Sequence, residues 1–473
     1  MKQFPIILMM FIMSTAFGQQ NCTCNKALYN LITKIESDYP GFSEKTKDTL
    51  LYNNFKKQLK VEANASEQSL CFEVLKKYTS FFKDQHIWFS PVIALDDKEA
   101  ETAEFIEVDM DKFLKDSKSE INSIEGIWEY SSIDNEDVDF KVGIIKTKND
   151  GFTGFAIPAN LKNSKSKRVL FKLLPNNEYE SHFPDKTKHN GDFEIYDNTF
   201  LYFKKIRRTL IKENKITKIS QNQIEKKIGQ FQGFTVRQLS PKTLSITLPS
   251  FDYPFVEIIN NLIKENRNLI ENSEYLIIDI RGNSGGTGNA FQELLPYIMT
   301  NSIRDMWIEF LATQTLIDGL ESYIESIKDE EESQEEVKEI EEEIKLFKKS
   351  LGQFVNTAED AFFTKEVVLA EKSPNYVIIL INKEVASSGE DFVIAAKQSK
   401  KVKVLGTPTL GAIDYASVRE FDFGCTNYKL YLPTFRSLRL PDYPIDNIGI
   451  QPDIYLDKTV TDWVKFAKEY LED

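Results

Sequence analysis

Histidine is scarce in this chain. Its 473 residues include three, His86, His182 and His189, so imidazole chemistry and histidine-based metal ligation are confined to three positions. Positive charge is also in deficit: 59 Lys and Arg stand against 73 Asp and Glu, for a formal net charge of −14. An acidic surface repels phosphate instead of releasing its counterions, which disfavours a nucleic-acid partner. Beyond the N-terminus no apolar run is long enough to span a bilayer. What is present is ordinary for a globular protein, 41% apolar and 28% charged residues. At roughly 150 residues per domain, the length implies two or three domains and ample material for a buried core.

The segment 1–18, MKQFPIILMMFIMSTAFG, is a lysine followed by an apolar stretch ending in Ala16-Phe17-Gly18. This is the layout of a secretory signal peptide cut before Gln19, and it predicts an exported protein, periplasmic or extracellular. A retained anchor is the other reading, but the run falls short of the ~18 to 20 residues a spanning helix needs. The Gln-Gln-Asn before Cys22 lacks the Leu and small residues of a lipoprotein signal. In an exported chain Cys22, Cys24, Cys71 and Cys425 are disulfide candidates with three pairings open. Cys22-x-Cys24 without a nearby histidine makes a poor metal site, and separately no metal or organic cofactor is implied by the reading reached below.

Leu28, Leu31, Ile32 and Ile35, then Phe72, Leu75, Tyr78, Phe81 and Phe82, keep helical spacing and predict an N-terminal α-helical domain over 19–115. From 120 to 240 short alternating runs such as Val138 to Ile144, Phe152 to Ile157 and Phe200 to Phe203, separated by turns, predict a small antiparallel β-barrel or sandwich. Gly126-Ile127-Trp128 is reminiscent of the first strand of a lipocalin, although a core tryptophan in an ordinary barrel reads the same way. His182 and His189 fall in the polar stretch Ser181 to Asn190, expected to be a solvent-exposed loop.

After 241 the pattern alternates strand and helix. Leu244 to Leu248 and the apolar runs Tyr275 to Ile280 and Tyr376 to Ile381 read as strands, with a helix predicted over Val256 to Ile270. Strands buried on both faces and joined through helices imply an α/β layer architecture over 241–456, with a C-terminal helix over 457–473. An insertion at 315–352 interrupts it. Between Ile327 and Lys349 it holds ten acidic and five basic residues, and its apolar stripe slips by one residue between Ile327 and Val337. Either two helices meet at Asp329 to Glu336 or one helix contains an irregularity. The insertion is a solvated helical arm, or a lid or surface for a partner or a second copy of the chain.

A glycine-bearing turn follows each of the two apolar strands, where an α/β sheet presents its ligand site. Arg281-Gly282-Asn283-Ser284-Gly285-Gly286 frees backbone N–H groups to meet phosphate or an oxyanion; the phosphate reading lacks a Gly-x-x-x-x-Gly-Lys-Ser pattern. Val385-Ala386-Ser387-Ser388-Gly389-Glu390 sets two serines at a helix start, where a hydroxyl either caps the helix or acts as a nucleophile.

Taken together, the ordered motifs Ile278-Asp279-Ile280-Arg281-Gly282-Asn283-Ser284-Gly285-Gly286, Ala386-Ser387-Ser388-Gly389-Glu390, Leu405-Gly406-Thr407-Pro408-Thr409-Leu410-Gly411 and Gly449-Ile450-Gln451-Pro452-Asp453 resemble the tail-specific, or C-terminal-processing, serine peptidases. The resemblance implies a crotonase- or ClpP-like layered sheet and makes Ser387 the nucleophile. In the better-known branch a lysine base follows the glycine matching Gly411; here Ala412 stands there, and no PDZ-like segment is evident. The other branch resembles the tricorn protease core and the retinoid-binding protein repeats and draws its base from an N-terminal histidine. Phe82-Lys83-Asp84-Gln85-His86-Ile87-Trp88-Phe89 is similar to that segment, so the resemblance makes His86 the base, with Gln85 and Asp446 where that branch has serine and glutamate. Without the resemblance, His86 beside Ile87, Trp88 and Phe89 would equally be a packed structural histidine.

The reading that follows is an exported serine endopeptidase acting on protein or peptide substrates. Ser387 attacks, His86 takes the proton, Gln85 and Asp446 orient it, and the amides of Gly285 or Gly286 and of Ser388 hold the oxyanion. The alternative is a catalytically inactive peptide- or ligand-binding protein on the same fold.

Overall fold

The computed structural model describes residues 22–67, 70–91, 104–117, 123–134, 140–147, 151–158, 166–182, 188–330, 333–358, 360–426 and 428–473. The segment 1–18, expected to be a signal peptide, lies outside them. Residue contacts divide the chain into two compact units, one drawn from 1–92, 280–288 and 294–473, the other from 93–279 and 289–293.

The first unit begins with three principal helices, Cys24–Asp38, Thr49–Ala65 and Cys71–Ser80. Thr23 caps the first by accepting from Lys26 N–H, and Asp48 caps the second by accepting from Leu51 N–H. Their apolar stripes meet in a core of Leu28, Leu31, Ile35, Leu75, Tyr78 and Phe82, which continues onto Tyr415, Leu430 and Leu432 of the antiparallel strands Tyr415–Phe421 and Tyr428–Ser437. Two disulfides, Cys24–Cys71 within the helices and Cys22–Cys425 from the N-terminus to the hairpin, staple this packing. The short strand Trp88–Pro91 then pairs antiparallel with Tyr428–Tyr431, fixing the turn that carries His86. Removing the long-range staple with Cys22→Ser/Cys425→Ser should lower the unfolding free energy by about 2–5 kcal/mol, read from the urea midpoint.

The same unit contains parallel strands Tyr376–Ile381, Val402–Gly406 and Ile454–Tyr455. Val377 to Ile381 are almost fully buried, as the continuous apolar run requires, and the helices Ser388–Ala396 and Trp463–Glu472 belong to this layer. The charged insertion is a helical hairpin, Gln314–Ile327 and Gln334–Lys349, closed over Leu316, Ile317, Leu320, Ile340, Ile344 and Phe347. The slip in the apolar stripe is thus a chain break between two helices. No helix among the described residues is long and apolar enough to cross a membrane.

In the second unit, eight antiparallel strands between Gly126 and Lys212 form a closed barrel, because Ser166–Leu173 pairs with both Phe152–Pro158 and Glu178–His182. Inward-facing Trp128, Val142, Ile144, Phe171, Leu173, Leu201, Phe203 and Leu210 pack its interior, as expected for a barrel of that strand number. His182 pairs with Lys188 and His189 with Ser181, at the ends of Glu178–His182 and Lys188–Tyr196, so both histidines lie on strands and not in a loop. The unit also holds Thr235–Gln238, Thr243–Thr247 and Tyr275–Asp279, the last two parallel. The helix expected over Val256 to Ile270 divides into Val256–Glu265 and Arg267–Asn272, because Asn266 Nδ2 donates back to the Leu262 carbonyl at 2.8 Å.

Candidate active site

All the residues singled out for chemistry lie in the first unit. The Tyr376–Ile381 strand runs into a sharp turn whose last residue, Ser387, has φ 52° and ψ −125°, a conformation that is costly for a residue with a Cβ. The helix Ser388–Ala396 starts immediately afterwards. Glu390 Oε2 accepts from Ser387 N–H at 3.3 Å, and the Ser387 carbonyl accepts from Glu390 N–H at 2.7 Å, so backbone bonds hold the strained residue. Ser387 is half-buried, whereas Ser388 is buried and its Oγ has no partner among the described residues. Of the two serines, Ser387 is the one a substrate can reach.

The turn at 281–286 lies against it. Ala386 N–H donates to the Asn283 carbonyl at 3.1 Å, and Gly282 N–H donates to Asn382 Oδ1 at 3.0 Å. Gly285 has φ 103°, and a Cβ built on it would sit 2.7 Å from Ser387 Cβ and 2.8 Å from the Ala386 carbonyl oxygen. The absence of a side chain there is therefore a packing requirement. Gly285→Ala should destabilise the protein by about 1–3 kcal/mol, measured by urea unfolding. Gly285 N–H donates to Asn283 Oδ1 at 3.0 Å.

Glu390 is fully buried and gathers further donors: Thr409 Oγ1, Gly411 N–H at 2.8 Å and Ala412 N–H at 2.7 Å. Burial nevertheless pushes its pKa above the ordinary carboxylate value, partly offset by these bonds. Ala412, where a lysine base would stand, is buried and donates only its amide to this carboxylate.

The same loop continues to His86. Ile413 and Asp414 N–H donate to Asp446 Oδ1 at 3.1 and 2.9 Å, while Ile445 and Asp446 N–H donate to Asp414 Oδ2, both at 2.8 Å. The next residue, Tyr415, offers its carbonyl oxygen to His86 Nδ1 at 2.5 Å. A carbonyl only accepts, so Nδ1 carries a proton, and Nε2 is the nitrogen left to present a lone pair when the ring carries a single proton. Asp84 fixes the turn by accepting His86 N–H at 2.8 Å, and it accepts Tyr39 O–H at 2.7 Å. Burial and Asp84 both push the Tyr39 phenol up, which keeps it a donor. Four residues of backbone, Ala412 to Tyr415, thus link the amide bonded to the Glu390 carboxylate with the carbonyl bonded to His86, and their terminal Cα atoms are at most about 11 Å apart.

Asp446 and Gln85 are placed differently from a direct pairing with His86. Asp446 uses its carboxylate on the two loop amides and on Lys45 Nζ at 3.3 Å, and the hydrogen bonds join it to His86 only by way of the 413–415 backbone. Burial, then Asp84, pushes its pKa up to about 6, and Lys45 opposes the rise. Gln85 is exposed and makes no side-chain hydrogen bond among the described residues.

Sequence reasoning missed Asp84, Lys45, Asp414 and Tyr415. Asp84 had a local signal, an Asp two residues before the histidine as in an Asx turn. Tyr415 acts through its backbone and had none.

Residues 242–456 match the family model described as peptidase family S41. Over those residues the chain is an S41 peptidase. The S41 peptidases are serine hydrolases acting on peptide bonds, so the protein is a serine-type peptidase. Comparison with curated proteins gives no match. Among solved structures it is similar to mature CPAF, with 14% identity over 95% of this chain and 96% of that one and a TM-score of 0.49. It is also similar to the photosystem II D1 C-terminal processing protease, with 12% identity, 92% and 94% coverage and a TM-score of 0.37. The tricorn protease shares 10% identity over 95% of this chain and 36% of its own, with a TM-score of 0.41.

Proposed function

We propose that this S41 peptidase is an exported endopeptidase with a Ser387–His86 centre. The observation that carries the reading is the hydrogen-bonded path from the strained serine to a histidine held in the base-competent tautomer, through Glu390, the loop 411–415 and the Tyr415 carbonyl. Ser387 Oγ forms a bond to the scissile carbonyl carbon as its proton passes to His86 Nε2. The same proton then goes to the departing amine as the C–N bond breaks, leaving an acyl-enzyme. Water releases the acyl group by the reverse transfer. The oxyanion draws on the amides of Gly286 and Ser388, each such donor contributing about 3 kcal/mol; the Gly285 amide is engaged by Asn283.

Asp446 acts as a support of the loop beneath His86, and Gln85, exposed beside it, is available to hydrogen-bond substrate or the imidazole edge. The two disulfides support an oxidising, extracytoplasmic setting. The test is casein hydrolysis with and without a fluorophosphonate. Cleavage that the reagent abolishes is expected. A folded wild type that neither cleaves casein nor takes up the reagent would overturn the reading in favour of a peptide-binding protein.

A further inference from the structure

Lys45 stands in the short helix Phe42–Lys45, some 400 residues from the loop it touches. Its Nζ lies 3.3 Å from Asp446 Oδ2 and 5.3 Å from the centroid of the Tyr415 ring, and both partners of the ion pair are largely buried, with 15% and 7% of their side chains exposed. The ammonium therefore meets two consecutive supports of His86 at once. One is the carboxylate that holds the amides of Ile413 and Asp414; the other is the residue whose carbonyl accepts the hydrogen bond from His86 Nδ1.

Resting on the Ser387–His86 reading, we propose that Lys45 is a positioning residue: its charge keeps Asp446 an ionised clamp on the 413–415 backbone and thereby fixes the imidazole. An ionised carboxylate accepts two backbone N–H bonds strongly, and a protonated one less so. A largely buried anion without a cationic partner takes up a proton. The groups facing Asp446 leave Lys45 as the cation in contact with it: Asp84 from the histidine turn and Asp414 from the loop are acidic, Arg439 pairs with Asp414 and the Ile413 carbonyl, and Tyr39 and Tyr415 are neutral phenols. Glu44, the neighbour of Lys45, adds negative charge near Tyr415. Without Lys45 the carboxyl stays protonated to higher pH, the 413–415 backbone loosens, and the Tyr415 carbonyl no longer holds one imidazole orientation.

The experiment compares pH–rate profiles of wild type, Lys45→Met and Lys45→Arg on one peptide substrate. Misplacing a catalytic group by a fraction of an ångström costs about 10- to 100-fold, so Lys45→Met should lose that much kcat at pH 7 with little change in KM. Its acidic limb should move upward by about one pH unit, and Lys45→Arg should recover most of both. The same substitution is then made in an Asp446→Asn background, where its effect should vanish because there is no longer a carboxylate to keep ionised. A Lys45→Met profile superimposed on wild type, or an equal loss in both backgrounds, would overturn the inference. Failure of the underlying reading looks different: fluorophosphonate would then label Ser387→Ala as well as it labels wild type, whatever Lys45 does.

Discussion

Ser387→Ala should lower kcat on a peptide substrate by about 10⁴- to 10⁶-fold and leave stability within about 1 kcal/mol of the parent. The loss is large because the acyl-enzyme route disappears with the Oγ atom, and what remains is binding and oxyanion stabilisation. The stability is spared because the turn is held by groups the substitution keeps. The Ser387 carbonyl still accepts from Glu390 and Asp391 N–H, and its own N–H still reaches Glu390. Alanine also pays no more than serine for the positive φ at this position. A KM that stays near the wild-type value would complete the pattern of an interaction made only in the transition state. Steady-state kinetics and urea unfolding on the same preparations separate this from loss of fold.

His86→Ala should come close to the same loss, about 10⁴-fold or more in kcat. Its imidazole is the group whose free nitrogen is set by a hydrogen bond on the other one, and no other described histidine belongs to this unit. Little of the fold depends on the ring, since Asp84 holds the turn through the His86 backbone N–H and the Trp88–Pro91 strand continues the pairing. In the proposed Ser387–His86 centre the two residues act as one unit, so the double variant should lose no more than Ser387→Ala alone. A double variant that is another hundredfold slower would show that the two contribute independently, against a shared proton transfer. Loss of labelling in His86→Ala, with the serine still present, would fit the same account.

Much of this site was legible because its carriers are periodic or chemically distinctive. The apolar run Tyr376 to Ile381 reads as a buried strand, and the turn after it ends in two serines at a helix start, where an α/β layer presents its ligand site. Gly285 and Ser387 meet although about a hundred residues separate them, as two turns at one end of an α/β layer should. The slipped apolar stripe between Ile327 and Val337 likewise marked the break between two helices. The supports of His86 were not legible, for two reasons. The Tyr415 contact is made by a carbonyl that every residue possesses, and Lys45 is one among many lysines whose partner, Asp446, is fixed only by tertiary packing. The disulfide pairing had the same difficulty: Cys22 joins Cys425 because the first helix packs on the Tyr428–Ser437 hairpin, which no local pattern encodes. Asn266 splits a helix by a side-chain bond to Leu262 that competes with the backbone, a choice that apolar periodicity does not register.

The central claim is that Ser387 is the activated nucleophile, and mapping the covalent adduct of a fluorophosphonate on the full-length enzyme tests it most directly. The intact mass should rise by one adduct, and peptide mapping should place it on Ser387, with none on the neighbouring buried Ser388 and none in the Ser387→Ala chain. An adduct on another serine, or a casein-cleaving wild type that acquires none, would contradict the account.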